Sequence, residues 1–224
     1  MTTSAEVTRD RLRVAALQVV REQGLAAASA RTIAAAAGVN QALIFYHFGT
    51  VTELIEAASA DAVTTSVARY QGDFAAVRTL PELLSVGRAI HKREHREGNV
   101  AVMAQLMAGG QHDPVLARAT RHALSLWIEQ IQQVLDRVLT GTPVATVLDS
   151  AGLAHAVSAG FVGVELYDGV DPDGAASAFA TLEHLAALVT TVNDLGPVAQ
   201  AALRRTTRRA VSYTHLTLPT NREV

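Results

Sequence analysis

Apolar positions recur along this chain with helical spacing, and no stretch alternates with period two for long. Over residues 8–23, Leu12, Ala16, Val19 and Val20 share one face, and Gly24 stops the pattern. Ser29 is a good N-cap for a short helix over 30–37, which Gly38 ends. Asn40 can cap a further short helix to about His47. Thr50 then caps a longer one, with Glu53 three residues on as a capping box. Breaks rich in Gly, Pro, Asn or Asp are expected at 71–81, 98–99, 109–114, 140–143, 167–174 and 193–197. The pattern predicts an all-α chain of about nine or ten helices, three small ones first and a bundle after them.

Composition narrows the function classes. The chain has 224 residues, 49% of them hydrophobic and 18% charged, enough for a sizeable core and unlike a disordered sequence. The absence of cysteine excludes a disulfide scaffold, thiolate zinc sites and a cysteine nucleophile. The first thirteen residues are polar and charged, so no signal peptide is expected. The longest uncharged apolar run, 150–164, holds 15 residues and includes His155. A spanning helix needs about 20. A soluble, cytoplasmic protein without membrane contact is the expectation. Residues 1–48 carry five arginines against three acids, whereas the remainder is acidic. A basic start on an acidic body suits an anionic partner.

The stretch from Ser29 to Leu54, SARTIAAAAGVNQALIFYHFGTVTEL, has the logic of a helix-turn-helix. Ile33, Ala34 and Ala37 form a small apolar face that lets a second helix come close. Gly38 permits the tight turn. Val39 and Ile44 plug the space between the helices. The helix from Asn40 to His47 then presents Gln41, Ala42, Phe45 and Tyr46 outward, near the end that enters a major groove in this motif. A Gln amide can read a base edge in bidentate fashion, and a helix N-terminus attracts phosphate.

This stretch resembles the DNA-binding domain of the tetracycline-repressor (TetR/AcrR-like) family of bacterial transcriptional regulators. The matching residues are Ser29, Arg31, Ile33, Ala34, Gly38, Val39, Asn40, Ile44, Tyr46, His47, Phe48, Thr50 and Leu54. Two positions depart from the family pattern. Phe45 stands where a tyrosine is usual, and Val51 where a lysine is usual, which removes a hydroxyl and a phosphate cation. The resemblance implies a DNA-binding set of Arg31, Thr32, Asn40, Gln41, Ala42, Phe45, Tyr46 and His47. Gln41 and Ala42 would lie at base edges and Arg31 at the start of the second helix. The aromatic end, Phe45 to His47, would lie on the phosphate backbone or in the domain core. The implied architecture is a three-helix DNA-binding domain over 1–50 and a helical-bundle effector-binding and dimerisation domain over 51–210. The implied partners are double-stranded DNA with a palindromic operator, a second copy of the chain, and a small, mostly apolar effector. No cofactor or metal is called for.

Within the body, Met103, Leu106, Met107, Trp127, Phe161 and His122 could line an effector pocket, since methionine suits adaptable apolar cavities. Two segments near the end suit an intersubunit four-helix bundle. The first offers Leu148, Gly152, Ala156 and Gly160, the second Phe179, Leu182, Leu185 and Val189. Small residues allow close helix approach, and a two-fold dimer matches a palindrome. The expected activity is that of a sequence-specific regulator, a repressor whose dimer is released from its operator or remodelled on it by the effector, and not that of an enzyme.

Two other readings compete. His91-Lys92-Arg93-Glu94-His95 fits H-x-x-E-H, a zinc-hydrolase signature with two His at i and i+4 and Glu94 as base. Glu129 or Glu165 would have to supply a third ligand. The densely charged surroundings fit a solvated helix face better. The other alternative is a helical interaction protein without DNA binding. Finally, 211–224 breaks from what precedes it. VSYTHLTLPT resembles the translation of a transposase-type sequencing adapter, so an artefactual or disordered tail is expected there.

Overall fold

The computed structural model describes residues 4–142, 144–146, 148–193 and 201. The tail expected over 211–224 lies outside the described residues. Nine α-helices and no strand occur among the described residues. They are α1 (Ser4–Gln23), α2 (Ala30–Ala37), α3 (Ala42–Phe48), α4 (Val51–Ala76), α5 (Leu80–Arg96), α6 (Asn99–Gly110), α7 (Pro114–Leu139), α8 (Ser150–Asp168) and α9 (Pro172–Asn193).

The helix starts follow the capping chemistry of the sequence. Ser29 and Thr32 form a reciprocal capping box on α2, and Thr79 and Glu82 form another on α5. Asp113 accepts from the first free amides of α7, whose initial residue is Pro114. Asp149 accepts from Gly152 at the start of α8. The break expected from residue 71 begins later. Tyr70 and Phe74 are buried, and packing against α7 carries α4 through Gly72 to Ala76.

Two hydrophobic clusters organise the chain. The first joins Leu12, Val19 and Val20 of α1 to Ile33 and Ala37 of α2, Ile44 of α3 and Leu54, Ile55 and Ala58 of α4, and it extends to Val102, Leu106 and Leu116. The second joins Tyr70, Phe74, Leu83, Ile90, Ile131, Val134, Leu135, Leu139 and Ala154. Helix α4 runs through both. Its first residue falls at the division expected after residue 50, yet its first turns pack with α1–α3. No helix among the described residues is long and apolar enough to cross a membrane.

Candidate nucleic-acid interface and effector cavity

The turn between α2 and α3 is built by few atoms. Gly38 sits at φ 62°, ψ 40°, the left-handed region, and its N–H donates to the Ala34 and Ala35 carbonyls. The Arg11 guanidinium of α1 donates to the Ala37 carbonyl at 2.6 Å. A Cβ on Gly38 would stand 3.1 Å from that guanidinium, so both backbone and space select glycine here. Asn40 Oδ1 accepts from the Ala42 amide at 2.8 Å. Asn40 thus nucleates α3 as expected, although the helix proper begins two residues later.

Ile44 anchors α3 with no exposed surface, with Leu43 and Phe48 half-buried around it. The opposite face carries Gln41, Ala42, Phe45 and Tyr46, all exposed, Tyr46 to 80%. Exposed aromatic rings on a short helix are what a docking face looks like. His47 is half-buried between the Tyr46 and Phe48 rings. Phe48 lies under the Arg9 and Arg13 guanidinium groups, 5.4 and 5.8 Å from its centroid, so it holds α3 onto α1. Arg31 is exposed and makes no ion pair among the described residues, whereas the Thr32 hydroxyl is spent on the Ala27 carbonyl and the α2 cap. Thr50 accepts from the Glu53 amide and donates its hydroxyl proton to the Glu53 carboxylate at 2.8 Å.

Behind this domain lies a cavity of about 450 Å³. Its walls come from α1 (Leu17, Arg21), α4, α5, α6, α7, α8 and α9. Of the residues named from the sequence, Met103, Leu106, Trp127 and Phe161 line it; Met107 and His122 do not. His122 is exposed on the outer side of α7, and Met107 is half-buried away from the cavity. Phe179, expected on a subunit interface, turns inward instead. It is buried on the cavity wall, its ring 6.4 Å from that of Phe161. The remaining interface candidates, Leu148, Gly152, Ala156, Gly160, Leu182 and Leu185, are exposed, and Val189 is half-buried; Leu148 precedes α8, and Ala156, Gly160 and Leu182 also line the cavity. A Cβ at Gly160 or Gly163 would meet open space.

Two carboxylates face the apolar cavity, and their surroundings differ. Glu94 is well satisfied. It accepts from the Ser66 hydroxyl at 2.9 Å, the Tyr70 hydroxyl at 3.2 Å and the Asn99 amide at 2.7 Å. Glu165 is 2% exposed, and only one oxygen is engaged, with His91 Nδ1 at 2.7 Å. Its Oε2 is buried without a hydrogen-bond partner among the described residues. Burial lifts the Glu165 carboxyl above the usual carboxylate range, although the His91 hydrogen bond pulls the other way, and Asp168 nearby adds to the rise.

The H-x-x-E-H pattern is thereby taken apart. His91 turns to Glu165, His95 to Asp168 at 3.2 Å, and Glu94 to α4 and Asn99. Among the described residues no three such groups converge where they could share a metal ion. From the sequence, Glu165 is expected only as a distant metal ligand. Gln105 joins α6 to the end of α1. It accepts from the Leu25 amide and donates to the Val20 carbonyl at 3.1 Å. No local pattern announces a contact eighty residues apart.

Residues 12–58 match the family described as bacterial regulatory proteins, tetR family. No curated protein gives a significant sequence match. Among solved structures, GusR of Salmonella enterica is similar at 20% identity and a TM-score of 0.67, over 86% of this chain and 98% of that one. FadR from Bacillus subtilis, solved in complex with stearoyl-CoA, is similar at 17% identity and a TM-score of 0.65, over 79% and 97%. A transcriptional regulator from Saccharomonospora viridis, solved with choline, is similar at 17% identity and a TM-score of 0.64, over 79% and 93%. At these identities the likeness is one of fold.

Proposed function

We propose that this chain, whose N-terminal domain is that of the tetR-family bacterial regulatory proteins and whose fold is that of TetR-like regulators, is a cytoplasmic, sequence-specific transcriptional repressor acting as a homodimer. The observation that carries the reading is α3. A short helix anchored by Ile44 and set by the Gly38 turn exposes Gln41, Ala42, Phe45 and Tyr46 together. Gln41 reads a base edge, and Arg31, Asn40, Tyr46 and His47 hold the phosphate backbone. Val51 in place of a cation leaves fewer phosphate contacts and a flatter salt dependence.

Two recognition helices are needed to span half-sites about 34 Å apart. The exposed apolar residues Leu185 and Leu188 of α9, with Gly152 of α8 also open to solvent, support the dimer that would supply them. The cavity supports a small-molecule effector, and relatives of the same fold solved with stearoyl-CoA and with choline support a bound ligand at this scale.

The walls suggest the route of coupling. Leu17 and Arg21 of α1, and α4 itself, line the cavity and also carry the DNA-binding helices. Gln105 and the Arg21–Asn99 hydrogen bond, 3.2 Å long, tie α6 to the same domain. A ligand that prefers a different spacing of these helices lowers operator affinity by its differential binding energy.

The test is selection of bound fragments from random duplex DNA by the purified chain, with sedimentation of the complex. A palindrome bound by two copies is expected, and Gln41→Ala should relax preference at one base position per half-site by about 1–3 kcal/mol. Recovery of no preferred sequence would overturn the reading.

A further inference from the structure

One group in the cavity lacks the partner its chemistry requires. Glu165 Oε2 is buried among apolar walls, and no donor among the described residues reaches it. A desolvated carboxylate oxygen is costly unless something donates to it. The cavity bears no lysine, and its Arg21 hydrogen-bonds to Asn99, which in turn donates to Glu94. The Glu165 end is bounded by aromatic rings. Phe161 lies one helical turn before Glu165 on α8, and the Phe179 ring is 5.0 Å from the His91 ring that holds Glu165 Oε1. One face of Phe179 is already covered by the Arg88 guanidinium at 5.7 Å, which pairs with Glu183, so this ring accepts cations. A carboxylate oxygen beside phenyl rings is a site for a positively charged nitrogen.

We propose that the cavity takes an amphipathic organic cation. Its ammonium head donates to or lies against Glu165 Oε2 between Phe161 and Phe179, and its apolar body lies along Met103, Leu106 and Trp127. The inference rests on the reading of this cavity as the effector site and gives that effector its charge. His91 fixes the carboxylate from the other side, leaving Oε2 aimed at the ligand.

Trp127 is the only tryptophan and lies on the cavity wall, so its fluorescence reports occupancy directly. The full chain would be titrated with octylamine, octanol and octanoate, which share a chain and differ in the charge of the head. Octylammonium is expected to bind about ten-fold or more tighter than either of the others, the scale of one charge-assisted hydrogen bond. Glu165→Gln should remove that preference, since an amide keeps the volume without the charge. Octanol or octanoate binding the wild-type chain as tightly as octylammonium would overturn the cationic head while leaving the effector cavity standing. That comparison needs no variant and holds even if Glu165→Gln folds poorly. No response of Trp127 to any of the three would overturn the cavity as an effector site, and the cation with it.

Discussion

The two ends of this molecule are built from different kinds of information. In the DNA-binding domain the features that matter are local. Ser29 caps α2 through Thr32, Gly38 turns the chain, Asn40 starts α3, and Ile44 pins it four residues later. In the body, the features that matter join distant residues: His91 to Glu165, Gln105 to Val20, Arg137 to the Phe74 carbonyl at 2.7 Å. The first region presents a surface, Gln41, Ala42, Phe45 and Tyr46, whose chemistry points outward. The second encloses a cavity whose chemistry points inward and is incompletely satisfied.

The largest test of the contrast is in the first core. Ile44→Ala leaves a void at a fully buried position on a helix of seven residues, which has little stability of its own. A loss of about 2–5 kcal/mol is expected by urea denaturation, with loss of specific DNA binding. A loss below about 1 kcal/mol would mean that α3 is not held by this anchor, and that half of the comparison would fail.

A pair of glycines sharpens it at lower amplitude. Gly38→Ala forces a Cβ into a left-handed position against Arg11 and should cost about 1–2 kcal/mol. Gly72→Ala lies mid-helix on an exposed turn of α4 with nothing within 4 Å, and should stabilise by about 0.5–1 kcal/mol. Opposite signs for the same substitution, read as shifts in the thermal midpoint, separate a glycine the turn requires from one that packing merely tolerates. Equal signs would refute the assignment of Gly38 to the turn.

The same contrast explains what the sequence made legible. Caps, the turn glycine and the buried positions of α1–α3 each declare themselves within a few residues, so the helix-turn-helix and its exposed face could be read in order. The start of α7 could too, because Asp113 and Pro114 mark it, whereas α8 begins at Ser150, later than the break expected at 140–143. Inward and outward faces in the body could not be read that way. Phe179 and Leu185 lie on one apolar helix, yet one is buried at the cavity and the other is 51% exposed outside it. His122 and Met107 have residue types suited to a pocket and lie outside it. Which face a uniformly apolar helix turns inward is decided by its neighbours, here α5 and α8 for α9, and that is long-range information.

The last effect vanishes at acid pH and grows from there. Glu165 titrates above its ordinary value of 4.5 because burial disfavours the charged form. A carboxyl raised in the fold keeps its proton where the unfolded chain has already lost it. Its contribution is therefore neutral below the ordinary value and becomes unfavourable as pH rises through the raised one. His91, His95 and Asp168 face it from α5 and α8, and Glu94 shares the cavity wall, so the comparison must be made against a variant that changes Glu165 alone. Glu165→Gln should match the wild-type chain in stability at acid pH and gain on it as pH rises, measured by urea midpoints without ligand. A bound organic cation should shrink that gain by stabilising the ionised wild-type carboxylate. A difference independent of pH would mean that His91 already compensates the charge, and the body would then be as fully satisfied as the DNA-binding domain.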